Sequence, residues 1–354
     1  AATAACGGGS DHATASPQEF PTSAYPTSVY GGLSGKLTYY DTGGGSGIAA
    51  LNATVDKDYT ALTGVKVVDD YNATMTKFNA AMQAGQGQWD VVEFATGGDA
   101  KAAQEHGYLE KLDPSVVPLD KVDDKSATDY YFPSHRYGIV LAWNTDKFPA
   151  GKAPTTMADL FDTQRFPGKR CMFEYPQFGA TMESALLAGG AAPGDLYPLD
   201  VKSALTKLDT IKNDIVWWTS GDQAIQYLTS GECDLGVVWT GRLFDAVTND
   251  HAPLDFTWNG GLYASGYYGV PTNAPNKGAA QAYLAHFLTN TGAQEAFLKR
   301  FPYPAPIKDL QIPPSVAKWV PLGQNIANAE PEDEDWYSAN ITGLSKTFTD
   351  WVGQ

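Results

Sequence analysis

Short apolar runs alternate with helical stripes of apolar residues along the first part of the folded body of this chain. Strands are predicted at residues 37–40, 65–68 and 89–94, and between them apolar side chains recur at three- and four-residue spacing, as in helices. This alternation predicts parallel strands joined by right-handed crossover connections. In open sheets of this kind, ligands bind at the carboxyl ends of the strands.

The same alternation resumes after residue 138. Further strands are predicted at residues 138–143, 171–173, 215–218 and 233–239, with helices at 157–161, 182–186 and 201–211 and after 219 and 241. Ser220 and Asp222 offer oxygens to the first-turn amides of the helix after residue 219, and Gly231 ends that helix. Because single cores stop growing near about 250 residues, a body of this length is predicted to form two lobes.

Composition favours a large core and argues against some partners. Hydrophobic residues make up 43% of the chain and aromatic residues 12%, yet no apolar run reaches the roughly 20 residues that a membrane-spanning helix needs. The formal net charge of -16 repels phosphate backbones, so nucleic acid is not an expected partner. Trp217 and Trp218 end a predicted strand, and alternation predicts that one of them is core.

The first residues differ in composition from the rest. Residues 7–33 are rich in Gly, Ser, Thr, Ala and Pro, which is typical of a flexible tether. The small residues before Cys6 resemble a bacterial lipoprotein processing site, although Thr3 stands where a leucine-like residue is usual. We therefore expect residues 1–34 to be a lipoprotein tether that holds the protein outside the cell membrane by lipid on Cys6. The alternative is an isolated cysteine in a disordered tail.

The other two cysteines are predicted to form a disulfide. Cys171 and Cys233 belong to no C-x-x-C motif, and no histidine cluster accompanies them, which disfavours a metal site. Each lies at the start of a predicted strand, so adjacent strands can bring them within bonding distance. Two buried free thiols are the alternative.

No catalytic motif accompanies this pattern. The chain has no G-x-S-x-G elbow, no G-x-x-x-x-G-K-[ST] phosphate loop and no H-E-x-x-H pair, and its five histidines are isolated in sequence. We therefore expect a protein that is not an enzyme and needs no metal or cofactor. A secreted carbohydrate-active enzyme with scattered carboxylates is one alternative, and a surface binding protein without a transporter is another.

Seven motifs follow one another in the order and spacing of a known family. They are residues 90–92 (DVV), 107–113 (GYLEKLD), 159–161 (DLF), 166–169 (FPGK), 231–236 (GECDLG), 239–241 (WTG) and 303–306 (YPAP). By these motifs, residues 36–340 resemble the extracytoplasmic solute-binding proteins of ABC importers, of the spermidine/putrescine type.

The resemblance implies the two-lobed α/β periplasmic-binding-protein fold of type II, also called the Venus-flytrap fold. Two crossing strands near residues 137–143 and 266–271 would act as the hinge. The implied lobes are residues 35–137 plus 268–306 for lobe 1 and residues 138–267 plus 307–354 for lobe 2. Such a protein captures a small solute between its lobes and delivers it to the permease and ATPase subunits of the importer. We expect a monomer whose only membrane contact is its lipid anchor.

The resemblance also assigns candidate ligand contacts. Trp239 and Tyr303 match aromatic positions of the family, and a late Trp-Gln pair corresponds approximately to residues 336–337. The family's Trp-x-Asp, whose carboxylate binds an amine, falls here on Ala264 and Gly266, and its acidic pair falls near Gln177 and Ala180. The chain therefore lacks the carboxylates of a polyamine site, and a carboxylate-bearing or neutral polar solute is expected. A true polyamine binder is the alternative.

Two glycine-rich loops strengthen that expectation. The first reads Thr42-Gly43-Gly44-Gly45-Ser46 and the second Thr96-Gly97-Gly98, and both are predicted at helix amino ends, where backbone amides and the helix dipole favour an oxyanion. Turns that merely join strand to helix are the alternative. The candidate ligand-binding residues are Thr42, Gly43, Gly44, Gly45, Thr96, Gly97, Gln177, Phe178, Trp239, Tyr263, Ser265, Tyr303 and Tyr337.

Two charged features are expected to be structural. Arg242 offers a planar fork for an anionic ligand, but an arginine in the first turn of a helix more often pairs with a nearby carboxylate. The acidic run at residues 330–335 is expected to be a solvated loop.

Overall fold

The structure, a computed structural model, describes residues 27–41, 44–71 and 73–353. The predictions for Cys6, for Thr42 and for Gly43 fall outside these described residues.

The strands are β1 (Lys36–Tyr40), β2 (Lys66–Asp70), β3 (Val91–Phe94), β4 (Tyr131–Asn144), β5 (Arg170–Phe173), β6 (Ile215–Trp218), β7 (Leu235–Trp239), β8 (Leu254–Gly269) and β9 (Glu330–Pro331). The helices are α1 (Gly45–Leu51), α2 (Lys57–Thr63), α3 (Met75–Gln83), α4 (Gly97–Glu105), α5 (Thr181–Ala188), α6 (Val201–Leu208), α7 (Gly221–Ser230), α8 (Thr240–Thr248), α9 (Lys277–Thr289), α10 (Thr291–Arg300) and α11 (Glu334–Val352).

The nine strands found in the described residues all belong to one sheet of mixed direction. The order across it is β2-β1-β3-β8-β4-β7-β5-β6, with β9 paired to β8. Strand β1 runs parallel to β2 and β3, and β5 runs parallel to β6 and β7. Strands β4 and β8 are antiparallel to each other and to their outer neighbours. The sheet therefore has two parallel halves, as the alternating pattern predicts, joined by a long antiparallel pair at its centre.

The central pair corresponds to the two predicted crossing strands, but both strands are longer than expected. Strand β4 has 14 residues and β8 has 16, so each begins well before the ranges predicted for the hinge. Their pairing runs from Tyr131 opposite Gly269 to Asn144 opposite Leu254. One strand of each half, β3 or β7, is thus attached directly to this shared pair.

Each half buries its apolar side chains in clusters of its own. On the β1–β3 side, Tyr59 meets Tyr283 edge to face with ring centroids 5.2 Å apart. On the β5–β7 side, Trp218 is fully buried and stacks on Phe173 at 4.5 Å. Aromatic pairs of this kind contribute about 0.5–1.5 kcal/mol beyond the area that they bury. Trp217 points the other way, against α11, so alternation separates the two tryptophans as predicted.

Local sequence signals account for several element boundaries. Ser220 caps α7, since its hydroxyl accepts a bond from the amide of Gln223, and Gly231 ends that helix at a φ of 79°. Cys171 in β5 and Cys233, just before β7, form the predicted disulfide, with Cα atoms 5.6 Å apart. The disulfide therefore joins two neighbouring strands of the β5–β7 half.

The described part of the chain has neither a membrane-spanning helix nor a cluster of metal-binding side chains. None of its helices has the length and apolar character required for crossing a membrane. Nor do its described residues group three or more His, Cys, Asp or Glu side chains in a way that would hold a metal ion.

Candidate ligand-binding site

A cavity of about 290 Å³ lies where the two halves of the sheet face each other. It is near the lower end of the roughly 300–1,000 Å³ found for small-molecule sites. Several of its residues stand at strand ends: Asp41 after β1, Ala95 after β3, Phe173 at the end of β5 and Trp239 at the end of β7. The cavity thus occupies the carboxyl ends of the parallel strands, where the alternating pattern places ligands. Its lining comprises Tyr39, Asp41, Gly44, Gly47, Ile48, Leu51, Glu93, Ala95, His135, Tyr137, Phe173, Phe178, Trp239, Arg242, Gly266, Phe297, Phe301 and Tyr303.

Aromatic side chains form much of the wall. Trp239 is held by a 2.7 Å bond from its indole Nε1 to the carbonyl oxygen of Phe178. Tyr303 packs against Phe301 at 4.4 Å and accepts a 3.3 Å bond from the amide of Gly241, and burial raises its pKa to about 12. The predicted residues Trp239, Tyr303 and Phe178 therefore all line the cavity, and backbone groups bind the indole N–H of Trp239 and the hydroxyl oxygen of Tyr303.

Arg242 brings a positive charge to this wall from the first turn of α8. Its Nη1 donates to Ser46 Oγ at 2.6 Å and its Nη2 donates to the carbonyl oxygen of Gly44 at 3.2 Å. Its Nε lies 3.4 Å from the exposed carboxylate of Asp222. The arginine thus pairs with a carboxylate, as expected from its position in the helix, and also lines the cavity, which that expectation did not favour.

The turn before α1 approaches Arg242 closely. Gly44 has φ of 56° and Gly45 of 60°, backbone conformations that glycine adopts without strain. A Cβ atom on Gly45 would lie 2.7 Å from Arg242 Nη1. Of the first predicted loop, Gly44 lines the cavity and Gly45 contacts Arg242 instead.

Two carboxylates also line the cavity. Asp41 Oδ2 accepts a 2.6 Å bond from the amide of Gly44. Glu93 Oε2 accepts from Tyr39 Oη at 2.7 Å, and its Oε1 accepts from Ser134 Oγ at 2.5 Å. The positions that correspond to the carboxylates of the polyamine binders lack acids, as the sequence shows, but the cavity has acids of its own: Asp41 after β1 and Glu93 in β3.

Glu93 is ionised at neutral pH in this setting. Burial alone raises the pKa of a carboxyl group, but here His135, whose Nδ1 lies 3.9 Å from Oε1, and the Ser134 and Tyr39 hydroxyls outweigh it. The net effect holds the pKa of Glu93 below its usual value. The cavity therefore contains a carboxylate on the β3 side as well as a guanidinium on the β7 side.

The remaining predicted contacts do not reach the cavity. Thr96 caps α4, and the Gly97 amide donates at 2.5 Å to Glu334 Oε2, so the second predicted loop holds a carboxylate of the chain itself. Gln177 donates to Glu332 at 2.8 Å. Buried Tyr337 donates to Glu183 at 2.6 Å. Tyr263 lies under the Arg136 guanidinium, and Ser265 is buried on β8 opposite Arg136.

The acidic run at residues 330–335 is not the solvated loop that was expected. It forms β9 and the start of α11, and only 6% of Glu332 is exposed. Glu332 accepts bonds from Gln177 Nε2 and from the amide of Phe178. Burial raises the pKa of Glu332 to about 8 and that of Glu334 to about 7. These acids are buried because amide donors from distant segments bind them, which the local sequence does not reveal.

The sequence and the fold are both similar to those of known proteins. A family model described as bacterial extracellular solute-binding protein matches residues 54–323. The chain is 29% identical over 322 residues to the gamma-aminobutyric acid (GABA)-binding protein of Pseudomonas aeruginosa, which covers 88% of this chain and 89% of the relative. The solved Atu4243-GABA receptor is 32% identical with a TM-score of 0.80, covering 90% of this chain and 97% of the receptor. AgtB from A. tumefaciens R10, solved with agropinic acid, is 28% identical with a TM-score of 0.78, covering 90% of this chain and 99% of AgtB.

Proposed function

Because the chain belongs to the bacterial extracellular solute-binding protein family, as a substrate-binding component of an ABC importer, we propose that its cavity captures a small organic carboxylate. Members of this family bind solutes outside the cytoplasm and are not enzymes. The solute is handed to the permease, which an ATPase subunit drives. The ligands named for two relatives, gamma-aminobutyric acid and agropinic acid, are both organic acids, which supports this ligand class.

The observation that carries the proposal is the position of Arg242. Its side chain is only 12% exposed, and it lines a cavity whose neighbouring walls are aromatic. A guanidinium has five N–H donors in a planar fork that matches a carboxylate, and in a site shielded from water such a bond is strong. The bonds to Ser46 and Gly44 fix the plane of that fork at the cavity wall.

The aromatic walls complete the site. Trp239 and Tyr303 have their polar atoms bound to the backbone, so the ring faces are what they present to a solute. Such faces bind the carbon skeleton of a ligand with little need for a particular shape. Arg242 then binds the carboxylate of the solute, and the aromatic rings bury its carbon skeleton.

Lobe closure follows from the same contacts. We assign residues 35–137 plus 268–306 to one lobe and residues 138–267 plus 307–354 to the other, with β4 and β8 as the hinge. The bonds from Arg242 to Ser46 and from Gly97 to Glu334 then cross from lobe to lobe. A solute held between the lobes stabilises the closed shape that the permease recognises. The protein acts as a monomer anchored by lipid on Cys6, and mass spectrometry of the Cys6 peptide from exported protein tests the anchor.

Titration calorimetry tests the ligand class. The panel contains gamma-aminobutyric acid, butyrate, agropinic acid, the neutral analogue butyramide and spermidine. We expect at least one carboxylate to bind with a micromolar or lower dissociation constant and Arg242→Gln to weaken it about 100-fold, because a buried charge-assisted pair is lost. Arg165→Gln is the matched control, since that guanidinium is exposed. Micromolar binding of spermidine without binding of any carboxylate would overturn the proposal in favour of a polyamine binder.

A further inference from the structure

The geometry points to Glu93 as the residue that recognises an ammonium group in the cavity, so that the solute is a zwitterionic amino acid. This inference rests on the proposed function, because it assigns the second charge of a ligand whose carboxylate meets Arg242. Glu93 stands on β3 and Arg242 on α8, on opposite flanks of the central strands β4 and β8. A ligand that bridges the halves can therefore meet the carboxylate of Glu93 at one end and the guanidinium of Arg242 at the other.

The partners of Glu93 hold its carboxylate in place but leave part of its capacity to accept hydrogen bonds unused. Each oxygen accepts one hydroxyl, from Tyr39 or from Ser134, while a carboxylate offers about four lone-pair positions. Both hydroxyls come from buried residues, so they fix the side-chain rotamer. The side chain is 13% exposed and Glu93 lines the cavity. A preorganised, ionised carboxylate is left with room for a further donor.

Charge balance makes a cationic ligand group the fitting partner. Burying an ionised carboxylate is unfavourable unless it is paired and hydrogen-bonded. Among the described residues, the ion-pair contact of Glu93 is with His135, whose Nδ1 lies 3.9 Å from Oε1, beyond hydrogen-bond distance. An ammonium group carries three donors and a full charge, and it enters through the same cavity that holds Arg242.

Gly266 leaves space beside the carboxylate of Glu93. A Cβ atom at residue 266 would lie 3.0 Å from Glu93 Oε1 and 2.8 Å from Ser134 Oγ. The backbone there is not among the positive-φ positions, so conformation does not require glycine. The absence of a side chain is therefore explained by space, and that space borders the Glu93 carboxylate within the cavity lining.

Calorimetry with matched ligand pairs tests the inference. Each amino acid is compared with the carboxylate that lacks its amine: β-alanine with propionate, gamma-aminobutyric acid with butyrate, and 5-aminovalerate with valerate. We expect at least one amino acid to bind about 100-fold more tightly than its partner, because an apolar end offers the Glu93 carboxylate no donor and no positive charge. In Glu93→Gln this ratio should fall to less than about tenfold, because the ammonium group loses its charged partner and the apolar end no longer meets a carboxylate.

Controls separate the two proposals. Glu105→Gln, at an exposed position at the end of α4, should leave every ratio unchanged. Gly266→Ala keeps the charge but crowds Glu93, and it should lower amino-acid affinity more than carboxylate affinity, which gives a second test if Glu93→Gln does not fold. Equal binding of an amino acid and its partner, with both lost in Arg242→Gln, would overturn the role of Glu93 alone. Failure of every carboxylate to bind would overturn both proposals.

Discussion

The turns before α1 and before α4 look alike in sequence and have opposite partners in the structure. Each follows a strand of the β1–β3 half, contains glycine and begins a helix. At the first turn, the carbonyl oxygen of Gly44 accepts from the guanidinium of Arg242. At the second turn, the amide of Gly97 donates to the carboxylate of Glu334. The first turn borders the cavity, and the second is closed by the chain itself.

The difference shows that the start of a helix is not a ligand site merely because its amides are unpaired within the helix. Those amides need acceptors in every protein, and a side chain from elsewhere can supply one. Glu334 does this for α4. Which turn serves the ligand is therefore decided by distant segments.

The largest expected effect is a pH dependence of stability. It comes from Glu332, two positions before the Glu334 that binds the second turn. The pKa of Glu332 is raised by burial to about 8 in the folded protein, whereas an exposed glutamate has a pKa near 4.5. Folding therefore favours the protonated form of Glu332. The contribution of this group to the free energy of unfolding is complete below about pH 4.5 and is lost as the pH rises to about 8. The slope is of the order of 1.4 kcal/mol per pH unit.

Urea unfolding of wild type and Glu332→Gln at pH 5, 6, 7 and 8 measures this slope. The stability of the wild type relative to the variant should decline steadily across the series. Parallel stability curves for the two proteins would contradict the assigned burial of Glu332.

A smaller loss is expected when the carboxylate is removed from the second turn. Glu334→Ala leaves the part-buried amide of Gly97 without its acceptor, and we expect a loss at the lower end of the roughly 1–3 kcal/mol that an unsatisfied buried donor costs. Thermal and urea unfolding measure it, with Asp335→Ala as the control because Asp335 is exposed. If the two variants are equally stable, the bond from Gly97 to Glu334 does not support the fold.

The smallest effects come from a pair of hydroxyl deletions that compares the turns directly. Thr96→Ala removes the cap of α4 and should cost about 1 kcal/mol of stability, with ligand affinity unchanged. Ser46→Ala removes a bond that orients Arg242 and should lower carboxylate affinity by roughly fivefold, at little cost in stability. Calorimetry measures the affinity and urea unfolding the stability of both variants. If both variants lost only stability, or both lost only affinity, the proposed difference between the two turns would be wrong.

The sequence predicted the features that depend on local pattern. Apolar alternation identified the strands of both halves, the resemblance supplied the crossing pair, and the disulfide followed from two cysteines at strand starts. Trp239 and Tyr303 were found through the resemblance, because each lies in a short motif with a fixed place in the order. These signals are contained within a few neighbouring residues.

The sequence could not predict contacts made between distant segments. Gly97 and Glu334 are 237 positions apart, and nothing near either residue announces the other. The acidic run at residues 330–335 was expected in solvent because acidic side chains are rarely buried without partners. Glu93 was overlooked for a similar reason, since its strand reads as a buried apolar run and its hydroxyl donors, Tyr39 and Ser134, come from two other strands.

The central position of β8 has a consequence for how the chain folds during synthesis. Strand β8 lies between β3 and β4 and pairs with both, yet it comprises residues 254–269. A ribosome that has not passed this stretch carries two separate half-sheets, each with an unpaired inner edge. Such edges recruit strands from other molecules, and pairings between distant segments form slowly. Chains that stop short of β8 will therefore aggregate, and they give chaperones and proteases a defined target.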